Sequence, residues 1–171
     1  MKLSKLIFDL QEIPDGKSTK SVHIDENELS LSEAVDLNYA DVSVDFYKTD
    51  HFVQVKFTAN ASVRLICDRS LEPFDKIISG SFTILYDPEV DEEEIVNEND
   101  AVKQIPTDSL ELNITKEVRD TIMLELPVRK LHPDYFDQNG NPVEFETKRF
   151  GPEPDEEDSI DPRWAELKKL K

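Results

Sequence analysis

The stretch VQVKFTANASVRLIC, Val53 to Cys67, decides the fold. Its odd positions are Val53, Val55, Phe57, Ala59, Ala61, Val63, Leu65 and Cys67, all apolar. Its even positions are Gln54, Lys56, Thr58, Asn60, Ser62 and Arg64, before Ile66 breaks the pattern. A period of two belongs to a β-strand with one face on a core and one in water. The run is long for one strand, and the small pair Ala59 and Ala61 around Asn60 predicts a bend or bulge there. Upstream, Val42, Val44 and Phe46 repeat the alternation, and YKTDH (47–51) supplies a hairpin connection. Downstream, Ile78, Gly80, Phe82, Ile84 and Tyr86 give a third strand, with Phe74 and Ile77 leading into it. The connection DRSLEPFD carries Pro73, which has no place in a central strand and marks the turn. Leu6 to Leu10 and Val22 to Ile24 are weaker, edge-strand candidates.

One convincing helix lies further on. In NITKEVRDTIMLELP (113–127), Ile114, Val118, Ile122 and Leu126 recur every four residues beside Met123, making an apolar stripe to cover the sheet. Asn113 suits the N-cap and Pro127 the stop. Beyond it, DYFDQNGNPVEFETKRF (134–150) places an Asn139-Gly140 turn between short aromatic runs, which predicts a small hairpin. The chain closes with DPRWAELKKLK (161–171), in which Asp161 caps, Pro162 takes the first helical position, and Trp164, Leu167 and Leu170 line one side. About ten residues do not hold a helix alone in water, so this end either docks on its own domain or folds against a partner. The expected class is α+β: an antiparallel, β-rich curved sheet or partly open barrel covered by one main helix, with a short C-terminal helix. Residues 1–150 form the single β-rich domain, and 151–171 an acidic linker and terminal helix.

The net charge of −18 is unevenly spread. DPEVDEEEIVNEND (87–100) holds eight acids and no base, and GPEPDEEDSIDP (151–162) six acids and no base. Without those fourteen acids the remaining charge is only −4. The bland reading is a solvated loop, about 87–108, and a solvated linker. The sharper reading is a docking surface for a basic partner. Nucleic acid, DNA included, is repelled by such runs. One cysteine excludes an internal disulfide and fits a reducing compartment. The N-terminal apolar run is broken by Asp9 and reads as neither signal peptide nor membrane span. The expected location is the cytoplasm.

Cys67-Asp68-Arg69-Ser70 has the outline of a Cys-x-x-Cys metal knuckle with serine in the second position. Cys67 also continues the apolar face of its strand, so its default role is a small buried hydrophobe. A structural zinc takes four thiolate or imidazole ligands. The chain offers Cys67, His23, His51 and His132 without paired spacing, so no metal site and no cofactor are expected. There is no Gly-rich phosphate loop, no nucleophile elbow and no carboxylate pair set in an apolar pocket, so no catalytic residue is assigned.

CDRSLEPF (67–74), Leu126-Pro127 and DPRWAELKKLK, in that order, resemble the YceD family, the large ribosomal RNA subunit accumulation proteins. Many members of that family have Cys-x-x-Cys where this chain has Cys67 to Ser70, and a cysteine-rich knuckle after the Leu-Pro where it has RKLHPDYFDQNGNP (129–142). The resemblance implies a non-enzymatic factor supporting large-subunit ribosomal RNA accumulation and ribosome assembly. The expected partner is a basic ribosomal protein or precursor particle. The alternative is direct ribosomal RNA contact through Arg64, Arg69, Arg129, Lys130, Lys148 and Arg149. Partner-binding residues are expected at Asp161, Pro162, Arg163, Trp164 and Leu167, with Cys67 and Arg69 at the corner; no membrane contact is expected.

Overall fold

The computed structural model describes residues 5–90, 94–97, 99–105 and 110–143. The alternating stretch forms β4 (Val53–Ile66), the spine of a six-stranded sheet. Before it come β1 (Ile7–Asp9), β2 (Gly16–Asp25) and β3 (Asp36–Lys48). After it come β5 (Pro73–Asp87), β6 (Glu94–Asn97), β7 (Asp100–Gln104), β8 (Glu111–Asn113) and α1 (Thr115–Leu124). The sheet order is β2-β3-β4-β5-β7-β6, and β1 with β8 makes a separate two-stranded ribbon. The expected hairpin at YKTDH is present, with Thr49 N–H donating to the Phe52 carbonyl at 2.9 Å. Pro73 occupies the first position of β5, where a strand tolerates it.

One expectation about the sheet is corrected: it is mixed, not antiparallel throughout, because β7 pairs parallel with β5 from Thr83↔Asp100 to Asp87↔Gln104. Of the two forms expected, curved sheet or partly open barrel, it is an open sheet, running from β2 at one edge to β6 at the other. The acidic stretch expected as a loop over about 87–108 carries β6 and β7 instead. Strand propensity is outweighed there by the open hydrogen-bonding edge of β5 and by burial of Ala101.

The irregularity predicted at Ala59–Ala61 lies elsewhere. β4 stays in register with β3 and β5 through those residues. The extra residue is Asn38 on β3, between Leu37↔Val63 and Tyr39↔Ser62. This bulge moves β3 by one residue, so Leu37 and Ala40, three apart, both face the core. The small residues of β4 have another cause. α1 packs on β4 and β5, and a Cβ added at Gly80 would meet Thr121 Cγ2 at 2.7 Å and Glu125 Cγ at 2.9 Å. Gly80 stands opposite Ala59. The missing side-chain volume makes room for the helix.

The core lies on the inner face of the sheet. Val55, Phe57, Val63 and Leu65 from β4, Val44 and Phe46 from β3, and Ile84 from β5 are buried there with Val118 and Ile122 of α1. The helix is shorter than predicted, ending at Leu124, though Leu126 still packs on the core. Its N-cap position is Ile114, one residue past Asn113, but the Asn113 Oδ1 accepts the Thr115 N–H at 3.0 Å and does the capping work. Glu117, in the first turn, is buried and pairs with Lys103 of β7, which ties the helix to the far side of the sheet. The segment expected as a terminal helix and residues 144–150 of the expected 134–150 hairpin lie outside the described residues. The turn itself is present, with Gly140 N–H donating to Asp137 O at 3.0 Å and Val143 N–H to Tyr135 O at 2.8 Å.

Gly80→Val is expected to destabilise the protein by about 1–3 kcal/mol, the usual cost of forcing volume into a packed interface. Thermal unfolding should show a melting temperature lower by several degrees. Ser79→Val, one residue away and exposed, should leave it nearly unchanged. Equal behaviour of the two variants would show that α1 does not sit over Gly80.

Candidate functional site

β4 ends at Ile66 and the chain turns sharply before Pro73. Two backbone hydrogen bonds close this corner, Cys67 N–H to Glu72 O and Leu71 N–H to Cys67 O, both at 2.9 Å. Leu71 takes the left-handed conformation, φ 61°, which lets the chain reverse so tightly. The corner is then pinned to the segment after α1. Asp68 N–H donates to Lys130 O at 2.7 Å, and Lys130 N–H returns a bond to Asp68 Oδ2 at 2.7 Å. Topology thus joins two stretches some sixty residues apart in sequence.

Cys67 sits at the centre, 0% exposed, as expected from its strand face. Its Sγ accepts the Arg69 N–H at 3.4 Å and the His132 N–H at 3.3 Å. Burial pushes the thiol up, but hydrogen bonds from the Ser70 hydroxyl and from the N–H groups of Ser70, His132 and Arg69 outweigh it. They bring Cys67 down to about 7 from an ordinary 9.0. The His132 ring packs edge-on to Phe74, centroids 5.8 Å apart. Arg69 lays its guanidinium 4.9 Å from the centre of the Tyr135 ring and donates to Val143 O at 3.0 Å.

Such a corner does not suit a metal. Ser70 stands where a second thiolate would be, and the segment docked on the corner supplies no sulfur. Among the described residues no group of three or more His, Cys, Asp and Glu side chains is disposed to hold an ion. A shallow cavity of about 470 Å³ beside the corner is lined by Asp68, Arg69, Arg129, Leu131 and Pro142. Sequence reasoning named Cys67 and Arg69 but missed Lys130, His132 and Tyr135 as their partners; the signal was the paired-knuckle position of RKLHPDYF. Asp161, Pro162, Arg163, Trp164 and Leu167 lie outside the described residues.

The described residues form a small β-rich fold whose Cys67 corner is hydrogen-bonded to the segment after α1. The family model described as Large ribosomal RNA subunit accumulation protein YceD matches residues 55–171. The chain belongs to that family, whose description implies a role in large-subunit ribosomal RNA accumulation. Neither the comparison with curated proteins nor that with solved structures gives a match. No helix among the described residues is long and apolar enough to cross a membrane.

Two outcomes are expected at the corner. Protein purified without a metal-affinity tag should contain well under one zinc per chain by elemental analysis, and chelator should leave its melting curve unmoved. Cys67 should react slowly with a thiol reagent in the native state and fast in denaturant, because exposure as well as acidity governs reactivity. Its pH signature follows from the lowered pKa: a group whose folded value lies below its unfolded value stabilises the fold fully above the unfolded value. That contribution disappears as pH falls through about 7. The melting-temperature advantage over Cys67→Ser should therefore shrink between pH 9 and pH 6; a constant difference would mean that the thiol does not titrate in the fold.

Proposed function

We propose that this protein is a non-enzymatic cytoplasmic factor that supports large-subunit ribosomal RNA accumulation by holding a basic ribosomal protein or a precursor particle. The observation that carries this reading is how its charges are used. Many cations of the folded body are spent internally. Lys5 pairs with Glu28 at 2.7 Å, Arg64 with Asp75 at 3.1 Å, Lys48 with Asp15 at 3.6 Å, and Lys103 with Glu117. Arg119 donates twice to Leu31 O, and Arg69 is committed to Val143 O and Tyr135. The acids of 87–100 have no base among them in sequence. A surface with that surplus attracts basic partners and repels phosphate.

Direct RNA contact is the second reading, and the cavity with Arg69 and Arg129 is its support. Asp68 lines the same cavity, and Glu72 and Asp134 are exposed on the segments that form the corner, so the local field is not basic. The acidic-surface reading is preferred. The terminal segment belongs to the same proposal, with Arg163 and Trp164 as the preferred contacts, because arginine and tryptophan are over-represented among residues that dominate interfaces.

Affinity capture from native lysate tests the proposal, with protein and RNA identified separately. Wild type should retain large-subunit ribosomal proteins, and rising salt should release them. Deleting residues 161–171 should leave the melting temperature within a degree or two while the captured components disappear. A truncated chain that melts much lower yet still captures them would make the tail part of the core. Capture that survives removal of protein but not of RNA would favour the second reading.

A further inference from the structure

Of the two edges of the sheet, only one is blunted. β6, on one side, has four residues, a register shift between Ile95 and Asn97, and a place in the acidic stretch 87–100. Shortness, bulges and charge are the means by which natural sheets discourage a further strand. β2, on the other side, has ten residues and keeps unbroken register with β3 from Gly16↔Lys48 to Asp25↔Tyr39. It contains no proline, and residues 16–24 hold no acid in a chain of net charge −18.

Which backbone groups of β2 point outward follows from the neighbouring hairpin. Thr49 N–H on the Phe52 carbonyl closes it, so the alternation of an antiparallel ladder turns Tyr47, Asp45 and Ser43 of β3 toward β4, and Phe46, Val44 and Val42 toward β2. Opposite the latter stand Ser18, Lys20 and Val22. Lys17, Thr19, Ser21, His23 and Asp25 therefore point away from the sheet. His23 O and both groups of Asp25 are occupied. Lys5 Nζ donates to His23 O at 2.9 Å, Glu28 N–H to Asp25 O at 3.0 Å, and Asp25 N–H to Glu28 Oε2 at 3.0 Å. Among the described residues nothing bonds to the backbone N–H and C=O of Lys17, Thr19 and Ser21. This open row is centred on Thr19.

A row of unpaired N–H and C=O groups is matched by another extended backbone. We propose that the matching strand is β2 of a second copy of this chain, paired antiparallel about a two-fold axis at Thr19. Thr19 then stands opposite Thr19 of the second copy and Lys17 opposite its Ser21, each pair exchanging backbone bonds. Threonine pairs across strands are favourable, and no like charges come directly opposite. Lys20, on the inner side, comes opposite Ser18 and is already drawn over the Phe8 ring, 5.6 Å from its centre. An isologous contact of this kind closes with two copies. It uses neither the acidic tract nor the terminal segment, so it stands apart from the proposed function.

Sedimentation equilibrium of the full chain tests the contact over concentrations up to about 0.5 mM, where weak interfaces are populated. The mass should rise from the 19.7 kDa of one chain toward twice that and stop there. Two chains of net charge −18 repel at long range, so association should tighten about threefold or more between about 0.05 M and about 0.5 M salt. Capture of a basic partner responds to salt in the opposite sense. Thr19→Lys, at an exposed position, sets like charges face to face and should weaken the dimer about three- to tenfold at low salt. Thr19→Cys gives a readout that requires no loss of binding. Under oxidised glutathione it should cross-link far faster than Ser79→Cys, an exposed control on β5, while Cys67 is buried. A chain that stays monomeric throughout would overturn the proposal, as would a mass that climbs past two copies. So would a dimer that Thr19→Lys leaves untouched and that cross-links no faster through Thr19→Cys than through Ser79→Cys. A monomeric chain whose Thr19→Lys variant loses captured ribosomal proteins would assign the edge to a partner's strand instead of a second copy.

Discussion

The inner face of β4 is the constraint on which the rest depends. A strand flanked on both sides, with Val55, Phe57, Val63 and Leu65 at essentially zero exposure, has no freedom to slip. A shift of one residue would put Lys56, Asn60 and Arg64 into the core and leave buried charge without partners. Truncating one such large side chain costs about 3–5 kcal/mol, a large part of the 5–15 that a domain has in hand. α1 adds a second constraint, because its close approach works only over the empty volume of Gly80. The buried Lys103–Glu117 pair then fixes the helix to β7, and removing either partner would strand a charge in the interior.

That constraint also explains how far the sequence was legible. β3, β4 and β5 could be read because one face is wet and the other dry, and their alternation is nearly complete. β2 was read only at Val22 to Ile24, since its inner positions Ser18 and Lys20 are polar and half exposed, as an edge strand allows. β6 and β7 were missed because their reason for being strands is the open side of β5, a tertiary fact with little local trace. The bulge at Asn38 was not foreseen, and the small pair Ala59 and Ala61 of β4 looked like a bend. The small volume there, opposite Gly80, instead leaves room for α1.

At the corner the residues were legible and the arrangement was not. Cys67 was placed as buried from its strand phase alone. That the Lys130–His132 segment covers it needed the fold. The physical join is plain once both halves are seen. The two halves are joined by a backbone bond from Asp68 N–H to Lys130 O, by Lys130 N–H donating to the Asp68 carboxylate, and by N–H groups aimed at one sulfur. Such bonds are each worth roughly 0.5–1.5 kcal/mol net. Several of them with the Phe74–His132 contact suffice to hold a surface corner.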